Sequence, residues 1–409
     1  MVIVIGSVAG ICGVILSLLL HLTQHVAYGY SPYLIMGDES FIEGVSAASP
    51  TRRLYVLMVC GLISGFGWWV ICLFFKPLVE ISTAIKSDIP YMPVWSTTFH
   101  ALLQMITVGL GSPLGREVAP RELAATFSIW FSSKVGLSLE ESRVMMACAA
   151  GAGLAAVYNV PFGGSVFALE VLLCTFRWNV VLPALITSAL ATVISRCGLG
   201  NVVQYHLHDS SVNFPLLILS IVSGPIFGYF GYIFSSYVKS ARAKSQHDGW
   251  LPLTCFINFL IIGLLSIYYP AILGNGKTVV QIGLSNAIIP SVAVILLVLR
   301  VCIVLGSLRA GAHGGIITPA LANGALLSIL LCFMWNMYFP YVSQSAFAVV
   351  GATAFLATSQ KMPITAIIFV AEITGINFQF LLPMLFAVAG SIGVRFVLEK
   401  NLAVKVPVN

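Results

Sequence analysis

The sequence predicts an all-α polytopic membrane protein built from two related halves, and three observations carry that prediction. Of 409 residues, 59% are apolar and only 8% charged, against roughly 25% charge in soluble domains. The apolar residues run in long stretches between short polar breaks, without the alternating short segments of a β-barrel. Finally, a set of Gly- and Pro-marked landmarks in the first half recurs in the same order in the second.

The elements follow in order. Residues 2–28 form a first span, expected to be retained because it lacks a basic leader and a small-residue cleavage site. The polar stretch 37–53, with Asp38, Glu39 and Glu43, reads as a solvent-facing loop. Residues 54–75 form the next span, with Gly61, Gly65 and Gly67 permitting close helix contact. A charged break, Lys76-Pro77-Leu78-Val79-Glu80, follows. Residues 94–108 lead to the break Gly111-Ser112-Pro113-Leu114-Gly115-Arg116-Glu117-Val118-Ala119-Pro120, and 121–134 continue from it. Residues 138–142 read as a surface turn. Segments 144–158, 161–176 and 180–194 complete the first half. Residues 216–238 lead into a basic loop, and 251–269, 289–306, 320–338, 346–357, 363–373 and 380–398 make up the second half. Several of these are too short for a hydrocarbon core of about 30 Å. Broken backbone is tolerated at that depth only where it is buried or lines a cavity, so the pattern points to a transport pathway.

Charge placement gives orientation. Lys239, Arg242, Lys244 and His247 form the densest basic stretch, which the positive-inside bias assigns to the cytoplasm. In so apolar a chain it does not indicate nucleic-acid binding. The nine cysteines contain no Cys-x-x-Cys pair and sit almost entirely in apolar runs. They read as packing residues rather than a metal site or disulfide framework.

The repeat is the sharpest internal signal. Residues Gly115-Arg116-Glu117-Val118-Ala119-Pro120 match Gly314-Gly315-Ile316-Ile317-Thr318-Pro319, each after a Gly-rich approach. Pro161 precedes Glu170 by nine residues, as Pro363 precedes Glu372. The landmarks are spaced alike, 41 residues from Pro120 to Pro161 and 44 from Pro319 to Pro363. Paired interrupted segments in two halves are the best sequence pointer to a transporter's binding site. Half-helices beginning near Arg116 and Ile316 would aim free N–H groups, with about half a positive charge each, at one centre. Such ends bind anions.

Glu117 stands where that anion would bind. A carboxylate there competes with the ion when charged and withdraws when protonated, so it can gate the path and carry a proton. An ion pair with the adjacent Arg116 is the structural alternative, but neighbours one apart on a helix do not face each other. Arg116 is expected to hold backbone carbonyls or Glu122. Glu170 and Glu372, at matched positions, suit helix-end or interfacial roles. Thr318 offers either a ligand hydroxyl or a helix N-cap. Lys76 either snorkels to the surface or draws anions to a vestibule. His100 and His313 read as hydrogen-bonded structural residues, although His313 adjoins the second break. Enzyme classes find no support: His-Glu-x-x-His, Gly-x-Ser-x-Gly, P-loop and Rossmann patterns do not occur.

At Gly115-Arg116-Glu117-Val118-Ala119-Pro120 and Gly314-Gly315-Ile316-Ile317-Thr318-Pro319, the chain resembles the CLC superfamily of anion channels and proton-coupled antiporters. The Asn159-Val160-Pro161 stretch and Leu381-Leu382-Pro383-Met384 extend the resemblance over almost the whole chain. It implies a CLC-type fold of two inverted repeats whose short, broken helices meet at a central anion site, and a homodimer with one pore per subunit. It makes Glu117 the external gate. Anion-binding positions implied with it are Gly115, Arg116, Val118, Ile316, Ile317, Thr318 and Leu78.

Departures from the chloride-type pattern carry information. Val118 replaces a glycine after the gate, Lys76-Pro77-Leu78-Val79-Glu80 replaces a serine-bearing motif, and Ile317 replaces a phenylalanine. No tyrosine follows Tyr341 to serve as the family's central tyrosine, and Val171 stands at the inner proton glutamate. Together these resemble the bacterial fluoride-transporting branch. The resulting expectation is a fluoride/proton antiporter of the bacterial inner membrane, exporting fluoride, without cofactor, nucleic acid or metal. A chloride/proton antiporter or passive anion channel is the alternative. A single transmembrane domain over 1–409 is expected, with halves 54–198 and 251–398 and no cytoplasmic regulatory domain.

Overall fold

The computed structural model describes residues 1–29, 41–201, 203–208, 211–285 and 288–405, with side chains to residue 401. Asp38 and Glu39 of the expected polar loop lie outside the described residues. The first half comprises α1 (Val2–Tyr28), α2 (Phe41–Ala47), α3 (Pro50–Phe74), α4 (Ile81–Lys86), α5 (Val94–Gly109) and α6 (Val118–Val135). It continues with α7 (Leu139–Tyr158), α8 (Pro161–Phe167) and α9 (Trp178–Leu199), α8 running on into a π-helical turn at Ala168–Leu173. The second half comprises α10 (Phe214–Ala243), α11 (Leu251–Tyr268), α12 (Lys277–Leu284), α13 (Pro290–Ala310) and α14 (Ile317–Asn336). It ends with α15 (Gln344–Gln360), α16 (Pro363–Thr374) and α17 (Leu381–Lys405). Eight helices among the described residues are long and apolar enough to cross a membrane.

Local chemistry sets most boundaries. The Ser49 hydroxyl accepts from the Arg52 N–H at 3.2 Å, and Pro50 occupies the first turn of α3, where its missing N–H has no partner to lose. A capping box opens α7: the Ser138 hydroxyl accepts from the Glu141 N–H, and the Glu141 carboxylate accepts from the Ser138 N–H at 3.0 Å. This corrects the expected surface turn at 138–142, whose polar residues cap a helix. Two further corrections concern short elements. Phe41–Ala47 is helical within the stretch read as a loop, and the helices at Ile81–Lys86 and Lys277–Leu284 were not anticipated.

Small residues bring helices into backbone contact. An added Cβ on Gly65 of α3 would lie 2.6 Å from Pro252 Cα of α11, and one on Gly224 of α10 would lie 2.8 Å from Ala387 O of α17. In a bilayer such close approach supplies packing that the hydrophobic effect does not.

The two halves are an inverted pair. Helix α7 is capped by Asn159 (φ 61°) before Val160-Pro161, and α15 by Lys361 (φ 57°) before Met362-Pro363. Each half then caps the other. Glu170 accepts from the N–H groups of Ile364 (3.0 Å) and Thr365 (2.7 Å) at the start of α16. Glu372 accepts from those of Phe162 (3.0 Å) and Gly163 (2.6 Å) at the start of α8. A carboxylate at a helix N-terminus meets unpaired donors and the positive end of the helix dipole. Both glutamates thus hold helix ends, the role their matched positions suggested.

Candidate functional site

The two broken stretches meet at a pair of glycines. Gly115 N–H donates to Gly315 O at 2.7 Å and Gly315 N–H donates to Gly115 O at 2.8 Å, an antiparallel bridge between the two halves. Each approach is pinned by an arginine from the second half. Arg300 of α13 donates to Pro113 O at 3.3 Å and to Ile272 O and Gly274 O, while Arg242 of α10 donates to Gly314 O at 3.2 Å. Guanidinium donors thereby satisfy backbone carbonyls at the breaks between helices.

From the bridge, α6 starts at Val118 and α14 at Ile317, within two residues of the expected positions. Glu117 is the N-cap residue of α6 and is fully buried. Its side chain crosses to the other half, where Oε1 accepts from the Ile317 N–H at 2.6 Å. Tyr158, the last residue of α7, donates its hydroxyl to Glu117 Oε2 at 3.2 Å and lies 2.8 Å from Thr318 Oγ1. A carboxylate therefore sits on the first N–H of α14, in the seat that a helix N-terminus offers an anion. Gly115 and Gly315 leave room beside it, since a Cβ on either would meet the Glu117 carboxylate unless that side chain shifted.

The expected site residues divide into two groups. Glu117, Val118, Ile316, Ile317 and Leu78 line one cavity of about 760 Å³. Gly115, Arg116 and Thr318 do not line it. Gly115 stands behind the carboxylate, and Thr318 meets it through Tyr158. Thr318 is the second residue of α14 while Ile316 is the N-cap, so the N-cap alternative is overturned. Arg116 turns away: it donates to Gln204 Oε1 at 3.2 Å and Val157 O at 3.5 Å, with its guanidinium 5.1 Å from the Tyr158 ring centre. The carbonyl partner agrees with the sequence reading, and Glu122 as a partner does not. No Arg116–Glu117 ion pair occurs among the described residues.

Lys76 is exposed and lines the cavity, 5.7 Å from the Tyr91 ring centre. Val171, at the position read as lacking the inner glutamate, lines the cavity as well, as do Arg242 and the exposed His247 of the basic loop. The cavity thus runs from the buried Glu117 to the basic-loop side.

Sequence reasoning missed Tyr158. The central hydroxyl was sought after Tyr341, yet one arrives from the first half. Its signal was the repeat itself: Tyr158-Asn159-Val160-Pro161 aligns with Gln360-Lys361-Met362-Pro363, and Gln360 lines the cavity although Tyr158 does not.

A protein-family model described as voltage gated chloride channel matches residues 60–395. Among named relatives, the "Voltage-gated ClC-type chloride channel ClcB" of Citrobacter koseri is 28% identical over 353 residues, 82% of each chain. Its Escherichia coli counterpart is 27% identical over 365 residues, 85% of each. Two solved structures share the fold. A slow cyanobacterial Cl⁻/H⁺ antiporter superposes with TM-score 0.81 at 20% identity, covering 97% of this chain and 93% of the other. A CLC-type fluoride/proton antiporter gives 0.71 at 21% identity, covering 96% and 94%.

Proposed function

The chain belongs to the CLC superfamily of anion channels and transporters, and from that premise we propose that it is a fluoride/proton antiporter with Glu117 as gate and proton shuttle. One observation carries the reading: the Glu117 carboxylate occupies the N-terminal N–H of α14 at 2.6 Å. Carboxylate and transported anion compete for that donor. When Glu117 takes a proton, it loses its charge-assisted bond and leaves the seat to the ion. When it gives the proton up, it reclaims the seat and expels the ion. Proton and anion therefore move in alternation.

Fluoride as the ion is supported by the donors themselves. A backbone N–H and the paired hydroxyls of Tyr158 and Thr318 form a compact set, while Leu78, Val118 and Ile316 present apolar walls toward the cavity. A small anion that binds short, strong donors suits that set. Chloride is the second reading, favoured by the chloride-channel names of the bacterial relatives. The native assembly is proposed as a homodimer with a pore in each subunit, in a bacterial inner membrane.

Ion efflux from proteoliposomes tests the reading. With fluoride and chloride loaded in parallel, fluoride is expected to leave far faster; faster chloride efflux would transfer the assignment to chloride.

A further inference from the structure

Val171 leaves the inner side of the pathway without the carboxylate that the family resemblance would place there, yet another carboxylate lines the same cavity. Glu122 follows Glu117 by five residues on α6, about 7.5 Å further along the helix axis, and both face the cavity. Its side chain is 14% exposed. No lysine or arginine ion-pairs with it among the described residues.

What holds Glu122 is neutral chemistry from α5. Gln104 Nε2 lies 3.4 Å from Glu122 Oε2, and His100 Nε2 lies 3.7 Å from the same oxygen. His100 and Gln104 are four residues apart, so one helix face presents both. Trp68 donates its indole N–H to His100 Nδ1 at 3.0 Å. That bond assigns Nδ1 as acceptor and places the proton of the neutral ring on Nε2, the atom facing Glu122. A second proton on His100 would set two N–H donors against each other. The carboxyl is therefore the member of this pair that is free to change charge.

The surroundings continue this polar line to the surface. The His313 ring lies 4.9 Å from that of His100, and the exposed His247 ring lies 6.5 Å from His313. The charged groups facing Glu122 are Arg121, its neighbour on α6, and Glu80 from the break before α4. Arg121 is turned aside, its guanidinium 4.3 Å from the Phe167 ring centre. These histidines do not form a metal centre: no group of three or more metal-ligating side chains with suitable placement occurs among the described residues.

We propose that Glu122 is the proton-loading group on the basic-loop side, with His100 as its positioning residue. A proton carried on the Glu117 carboxyl passes across the cavity to the Glu122 carboxylate, which releases it toward the basic loop; the reverse transfer runs through the same two groups. The inference rests on the proton-coupled reading of Glu117.

The test uses full-length protein in liposomes, with anion efflux and proton uptake recorded together. Wild type is expected to show both, E122Q to keep anion efflux and lose proton uptake, and E122D to keep both. His100→Gln, which removes the ring but not the carboxyl, is expected to slow proton uptake and move its pH profile while leaving anion efflux intact. Coupled transport by E122Q beside a coupled wild type would overturn Glu122 alone. An uncoupled wild type would remove the reading beneath it. If E122D also lost anion efflux, the side chain would be a packing element and the proposal would fall.

Discussion

Glu117 is held at both oxygens, by a backbone N–H of the opposite half and by the Tyr158 hydroxyl. Removing that hydroxyl in Tyr158→Phe should weaken equilibrium anion binding roughly tenfold, since a hydrogen bond to a charged group is worth about 1.5 kcal/mol or more. Titration calorimetry with fluoride and chloride reads the change, and unaltered affinity would remove Tyr158 from the site. Gly315→Ala places a methyl group where the carboxylate lies, so proton uptake per anion released should fall; an unchanged ratio would mean that Glu117 tolerates displacement. Glu117 was legible in the sequence because a carboxylate in an apolar break is expensive and so invites a functional account. Tyr158 was not, because a tyrosine closing a Gly/Ala-rich helix looks like packing until its repeat partner is considered. The same applies to Glu122, which in one dimension is merely the acidic neighbour of Arg121. Only the approach of α5 places His100 and Gln104 against it.

Helix ends, rather than helix bodies, organise the elements. Glu170 and Glu372 each satisfy two N–H groups at the start of a helix in the other half. Replacing either with Gln should destabilise the protein by about 1–2 kcal/mol through loss of the charge–dipole contribution. Thermal unfolding in detergent measures this, and unchanged melting of both variants would mean that the cross-caps are energetically idle. Ser138→Ala opens the capping box of α7 and should cost about 1 kcal/mol in the same assay. The long helices could be read directly because their apolar runs span many turns. The six- to eight-residue helices α2, α4 and α12 could not, since so few turns carry little periodic signal. The start of α7 was readable in principle, as Ser138 and Glu141 have the capping-box spacing. Its charge made it look like a turn.

At the scale of the molecule, burial separates α14 from the other long apolar helices. Its apolar 18-residue stretch is 78% buried, against 33–44% in the seven others long enough to span a bilayer. Those seven keep a larger exposed apolar share, whereas α14 is enclosed by protein with its N-terminus on the Glu117 carboxylate. The fold class was legible because duplication leaves a trace that one sequence can show, ordered landmarks repeated at similar spacing, and the family resemblance supplied the inversion. How the halves meet was not, because the Gly115–Gly315 bridge joins residues 200 apart through backbone atoms alone. The positive-inside bias predicts that the basic loop faces the cytoplasm, so Lys244→Cys, in a background with the exposed native cysteines replaced, should resist a membrane-impermeant maleimide in intact cells and react in inverted vesicles; the opposite pattern would invert the topology. The most direct test of the whole account is proton uptake driven by an outward anion gradient in proteoliposomes, comparing wild type with Glu117→Gln. Wild type should take up protons against their gradient, and the variant should pass anions without protons; proton uptake surviving in Glu117→Gln would contradict the account.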